Sequence, residues 1–152
     1  LSMSLKSKIM PAMKEAMKAK DKVALETLRA IKAELMLAET ASGSSGELVE
    51  GDEIKLLMKM MKQRKDAAAI YIEQGRADLA DDEIVQTKIL DQFLPKQLSV
   101  EELERAVAQI ILKVGASGPA DMGKVMGLTS KELAGKAEGR TIANMVKTLL
   151  NK

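Results

Sequence analysis

The stretch S-V-E-E-L-E-R-A-V-A-Q-I-I-L-K-V-G, residues 99–115, decides the fold. It opens on Ser99-Val100-Glu101-Glu102, an S-x-x-E capping box, in which a hydroxyl and a carboxylate satisfy two N–H groups that a helix start leaves without partners. Val100, Leu103, Val107, Ile110, Ile111 and Val114 then recur at the three- and four-residue spacing of one helical face. Gly115 stands where a helix C-cap glycine is expected. The same period runs through most of the chain. Aromatic and β-branched runs are scarce, which argues against a sheet. The expected fold is all-α.

Downstream of Gly115, Ser117 or Gly118 can cap the next helix, with Pro119 near its first position, where proline is favourable. Met122, Val125 and Met126 share a face with Leu133. Gly123 and Gly127 are four residues apart and stack on one side of that helix. A glycine inside a helix costs about 0.5–1 kcal/mol relative to alanine, so two on one face point to a close approach. The approaching body is either a neighbouring helix, the expected case, or a phosphate backbone. Gly135 ends this helix and Gly139 opens the last one, where Ile142, Met145, Val146 and Leu149 form an apolar stripe.

The segment Gly118-Pro119-Ala120-Asp121-Met122-Gly123-Lys124 matches most of a phosphate-binding loop, but Val125 follows where that motif needs Ser or Thr for magnesium. The residues before it have helical rather than strand spacing, and a proline and an aspartate suit a phosphate cradle poorly. A nucleotide site is therefore not expected.

D-M-G-K-V-M-G at 121–127, G-K-A-E-G-R at 135–140 and I-A-N-M-V-K at 142–147 resemble the tail domain of GatB, the B subunit of the glutamine-dependent aspartyl/glutamyl-tRNA amidotransferase. M-K-Q-R-K-D-A at 61–67, G-R-A-D-L-A at 75–80 and F-L-P-K-Q-L-S at 93–99 resemble the free-standing YqeY proteins, which join a helical N-terminal domain to a GatB-type tail. Ala116-Ser117-Gly118-Pro119 departs from many relatives, which affects the local cap rather than the resemblance.

Pro95 and the Ser99 capping box place the domain boundary between a helical N-terminal domain of two hairpins over residues 1–97 and a three-helix tail bundle over 98–152, and the resemblance implies the same arrangement. It also implies a tRNA-associated accessory or binding protein, since the tail is the part of the amidotransferase that reaches the tRNA body. Lys124, Lys131, Lys136, Arg140 and Lys147 are then the candidate phosphate donors, beside Gly123 and Gly127 as close-approach positions. A second reading is a protein-interaction module that docks through a helix groove to an amidotransferase or synthetase, with Met58, Met60 and Met61 as exposed contacts. Kinship also carries a carbon–nitrogen ligase label with glutamine as amido donor. However, the chain has no Cys, no Ser/Lys amidase constellation and no nucleotide loop. Independent catalysis, a cofactor and a catalytic residue are not expected.

Upstream, Ser4 can cap a first helix to about Lys20, with Leu5, Ile9, Ala12 or Met13, and Ala16 inward; Pro11 implies a kink or a late start. Asp21 caps a second helix with Ala24, Leu28, Ile31, Leu35 and Ala38 inward. Residues 40–46, T-A-S-G-S-S-G, read as a flexible loop. Asp52 caps a third helix to Gly75, with Ile54, Leu57 or Met58, Met61, Ala68 and Ile72 inward and Lys55, Lys59 and Lys62 as a basic stripe. A fourth runs from about Ala77 to Phe93 with Asp78, Asp81, Asp82 and Glu83 in its first turns, where carboxylates complement the helix dipole. Pro95 stops it. Leu1-Ser2 ahead of Met3 reads as a cloning remnant.

The composition excludes several classes of chemistry. The chain has no Cys and no His, so thiolate nucleophiles, disulfides, histidine acid–base catalysis and the common zinc sites are ruled out; no metal is expected. One Tyr, one Phe and no Trp make base stacking a poor route to nucleic acid, leaving shape and charge. The net charge is only +2 but uneven: residues 1–32 hold eight Lys/Arg against three Asp/Glu, residues 66–98 three against seven, and residues 113–152 seven against three. Basic surface at both ends fits either solvated helix faces or a nucleic-acid footprint. With no apolar run approaching ~20 residues and no secretory signal, no membrane association is expected and the expected compartment is the cytoplasm.

Overall fold

The computed structural model describes residues 4–41 and 48–152. Among these residues the chain forms seven α-helices and no strand: α1 Leu5–Lys18, α2 Lys22–Ala41, α3 Glu50–Glu73, α4 Ala77–Asp91, α5 Val100–Val114, a 3-10 turn Pro119–Asp121, α6 Met122–Glu132 and α7 Gly139–Leu150. The fold is all-α, and the chain divides into two compact units between Leu94 and Pro95.

In the first unit α1 pairs with α2 and α3 with α4, and α4 and α3 also pack on α2. The starts of these helices follow local chemistry. The Ser4 hydroxyl accepts from the Ser7 N–H at 3.2 Å, and an Asp21 carboxylate oxygen accepts from the Ala24 N–H at 3.1 Å. Helix α1 begins at Leu5 and runs through Pro11, so the late start is not taken. Ser7, whose carbonyl Pro11 leaves without its i+4 donor, is exposed together with Pro11, so water can replace that bond. Helix α3 starts two residues before Asp52, with Val49 as N-cap and Glu50, Asp52 and Glu53 in its first turn. It ends at Glu73, where Gly75 takes φ +73° and the Arg76 N–H returns to the Tyr71 carbonyl at 2.8 Å, closing a Schellman-type turn.

The core of this unit is aliphatic: Leu5, Ile9, Leu28, Ile31, Leu35, Leu57, Met60, Met61 and Leu90 are buried. The register of α3 is the expected one at Leu57, Met61 and Ala68 and departs from expectation at Ile72. Its buried positions Leu57, Met61 and Ala68 continue the face that meets α4, whereas Ile72 is 61% exposed. Met60, read as an exposed contact, is a core residue; Met61, read both as inward and as an exposed contact, is buried, and Met58 is half-buried. Helix α3 is covered by both α4 and α2, so its buried arc is wide enough to take in Met60 beside Met61. The loop expected over residues 40–46 does not include Thr40 and Ala41. Thr40 and Ala41 are helical, with Thr40 Oγ1 donating to the Met36 and Leu37 carbonyls; residues 42–47 and 1–3, and the readings made on them, lie outside the described residues.

The second unit packs α5, α6 and α7 around Leu103, Val107, Ile110, Val125, Leu133, Ile142, Val146 and Leu150. The capping box at its start is complete: the Glu102 N–H donates to Ser99 Oγ at 3.1 Å and the Ser99 N–H to Glu102 Oε1 at 2.9 Å. Gly115 takes the left-handed C-cap conformation at φ +67°. Val100, placed on the inner stripe by its spacing, is 66% exposed; at the first position of α5 it precedes the turn that meets α6 and α7. The entering strand of chain is held as well: Gln97 Nε2 donates to the Gly135 carbonyl at 2.6 Å and the Leu98 N–H to the Lys136 carbonyl at 2.8 Å.

Candidate functional site

The five candidate phosphate donors of the tail lie on three consecutive segments. Lys124 and Lys131 are on α6, Lys136 is in the turn after it, and Arg140 and Lys147 are on α7; all five are exposed. Lys124 and Lys131 are seven residues apart, so they stand two turns apart on one face of α6. Arg140 and Lys147 repeat that spacing on α7, with exposed Asn144 between them. The opposite faces are committed to the core through Val125 and Thr129 on α6 and through Ile142, Val146 and Leu150 on α7. Burial of those apolar side chains therefore decides which way the cations point. Lys136 is positioned differently, by the backbone: its carbonyl accepts from Leu98 and its own N–H donates to the Leu133 carbonyl at 2.9 Å.

Gly123 and Gly127 are not packed against a neighbouring helix. Both are exposed, and a Cβ at either would meet no heavy atom within 4 Å. The expected helix contact is thus corrected. The face of α6 that turns away from α5 and α7 carries Gly123, Lys124, Gly127, Ser130 and Lys131. Along it, Gly123 leaves the backbone bare beside Lys124, and Gly127 leaves it bare between Lys124 and Lys131. Such a surface admits a bulky polyanion close to the helix backbone, which larger side chains at 123 and 127 would hold off.

The segment that resembles a phosphate-binding loop is a 3-10 turn followed by α6. The Asp121 carboxylate accepts from the Ser117 N–H at 2.9 Å, so an acid occupies the place where that motif gathers N–H groups for phosphate. Two features of the charge pattern are structural. Arg76 meets Asp78 with two 3.1 Å contacts, which hold the Asp78 carboxyl below its ordinary range. The backbone and hydroxyl of Ser99 hold Glu102 low in the same way. Among the described residues, no group of carboxylates gathers as a metal site, and no helix is long and apolar enough to cross a membrane.

One feature of the first unit was not legible in the sequence. A groove of about 290 Å³ opens beside α1 and α2, with Met10 and Met36 at its surface. The inner stripes of the two helices leave Met10 and Met36 outside them, but only the pairing of α1 with α2 brings the two together at one groove.

The sequence profile of the family described as Yqey-like protein matches residues 6–150. A protein of Kluyveromyces lactis named "Altered inheritance of mitochondria protein 41, mitochondrial" is 29% identical over 138 residues, covering 89% of this chain and 70% of that protein. A protein of the same name from Clavispora lusitaniae is 28% identical over 116 residues, covering 75% of this chain and 66% of its own length. The chain thus spans about two thirds of the relatives it matches. Their names correct the expected cytoplasmic location, because both are named as mitochondrial. That expectation rested on the lack of an apolar span and of a secretory signal, and neither separates the cytosol from the aqueous interior of a mitochondrion.

Proposed function

The chain belongs to the YqeY-like family, and on that premise we propose that it is a tRNA-associated accessory or binding protein that holds folded RNA through the basic face of its second unit. The observation that carries the reading is the bare, cation-flanked face of α6: Gly123 and Gly127 open to solvent beside Lys124 and Lys131. Lys136, Arg140 and Lys147 add three cations on the adjoining turn and on α7. All five act as phosphate donors. Lysine and arginine contacts to phosphate position an RNA without reading its bases, and a chain with one Tyr and one Phe has little to stack on bases. Recognition is therefore by the shape and charge of a folded RNA. No catalytic residue and no cofactor form part of this reading.

Electrophoretic mobility shift with tRNA across a salt series tests it, with mitochondrial tRNA as one arm beside total tRNA. Binding that weakens steeply as salt rises is the expected result. Absent or salt-insensitive binding overturns it. In that case the protein is a docking module for an amidotransferase or synthetase, which co-purification from extract after nuclease treatment would detect.

A further inference from the structure

A second surface, in the other unit, has different chemistry. The groove beside α1 and α2 has a floor of Ile9, Met10, Leu35 and Met36. Ile9 and Leu35 are buried core residues, whereas Met10 and Met36 are 47% and 53% exposed. Met17, seven residues beyond Met10 on the same face of α1, is also exposed at 58%. Unbranched, polarisable methionines at a surface suit a partner whose side chains they can reshape around.

Lys6, Lys32 and Glu39 stand at the rim. Lys6 Nζ lies 3.9 Å from Glu39 Oε2, so this pair is neutral together and Lys32 is left as the uncompensated rim charge. The surrounding hairpin has the same sign: Leu5–Ala41 holds eight Lys/Arg against five Asp/Glu, a net of +3. At about 290 Å³ the groove is at the lower edge of the roughly 300–1,000 Å³ of small-molecule sites, and it is bordered by helices, not closed. It suits a few apolar side chains from an elongated body. The furrow beside two helices accepts the ridge of a third, with anchors at i, i+3 or i+4, and i+7.

We propose that this groove docks an acidic amphipathic helix of a partner protein, with aliphatic anchors on Met10 and Met36 and carboxylates against Lys32. The occupant is protein, because an aliphatic and thioether floor offers phosphate no donor. It is acidic, because the rim and its hairpin are net positive.

The test uses the full chain with 13C-methyl methionine and a synthetic helical peptide of about 18 residues, leucines at the anchor spacing and glutamates on the flanks. Controls are its scrambled sequence and the same peptide with lysine for glutamate. Saturable binding that shifts the Met10 and Met36 methyl signals but not that of buried Met60 is expected. Both controls should bind at least about tenfold more weakly. Met36→Glu and Lys32→Glu should each weaken binding by about tenfold while leaving the helical signal intact. Met36→Gln, which adds no charge, serves if Met36→Glu fails to fold. No binding, equal binding of the lysine peptide, or shifts confined to other methionines overturns the proposal. So does tRNA that displaces the peptide and shifts the same two methyls, which would assign the groove to nucleic acid.

Discussion

The Glu53 carboxylate of α3 accepts a hydrogen bond from the backbone N–H of Leu5 at 2.9 Å, across 48 residues of chain. Leu5 is the first residue of α1, so this N–H has no partner within the helix. The contact therefore joins two hairpins and places a negative charge at the positive end of a helix. Glu53 is nearly buried, and Leu5 beside it is 3% exposed. Replacing Glu53 with Ala should lower stability by about 2 kcal/mol, the scale of a lost charged hydrogen bond that leaves a buried donor unsatisfied. Chemical denaturation with an unchanged slope checks this; a loss within about 0.5 kcal/mol would show that the carboxylate contributes no more than an ordinary surface residue.

The second prediction concerns acid. Glu102 is held below its ordinary range chiefly by the Ser99 backbone N–H, so its folded-state value lies below its unfolded one. Its stabilising contribution is complete above the usual glutamate range near ~4.3 and is lost as pH falls through the lower folded value. Glu102→Gln should flatten the acid limb of the stability curve and leave the slope above pH ~6 unchanged. Thermal melts of both proteins across that range measure it. Identical acid limbs would count against the capping box as a source of pH dependence.

A third prediction follows from the bonds at the entry to α5. A fragment beginning at Lys96 keeps Gln97, whose side chain reaches the Gly135 carbonyl, and keeps the whole Leu103–Leu150 core. We propose that it folds alone, with low stability because small domains bury a small share of their surface. Circular dichroism with a cooperative melt is the measurement. A fragment that is unfolded at every temperature would mean that the two units form one cooperative structure.

The fourth concerns the open glycines. Gly127→Ala meets no atom within 4 Å and sits inside α6, so it should stabilise the protein by about 0.5–1 kcal/mol through lower backbone entropy in the unfolded chain. Gly127→Leu should fold as well but weaken tRNA binding by holding the RNA off the backbone. Normal tRNA affinity in the leucine variant would remove the glycines from the interface.

The fifth concerns charge. If about four phosphates are neutralised, log K should fall against log salt with a slope of roughly −3 to −4. Changing Lys124 and Arg140 together to Ala should weaken different tRNAs about equally and make the slope shallower by roughly 1–2. An unchanged slope would show that these two cations make no phosphate contact.

The sequence by itself determined the helices and several of their ends. Ser4, Asp21, Ser99 and Gly115 act within three or four residues of themselves, so the hydrogen bonds they make depend on local order and not on distant partners. The family was legible as well, in short segments that the profile match over residues 6–150 supports. What only the tertiary structure decided is which flank of each helix is covered. Met60 is inside, Ile72 and Val100 outside, Gly123 and Gly127 bare, and Glu53 joined to Leu5. A 3.6-residue period marks an apolar face to within about one residue, and it carries no information on how wide an arc the neighbouring helices will bury. That width depends on partners distant in sequence, which is why the cations of the tail could be named in advance and the methionine groove beside α1 and α2 could not.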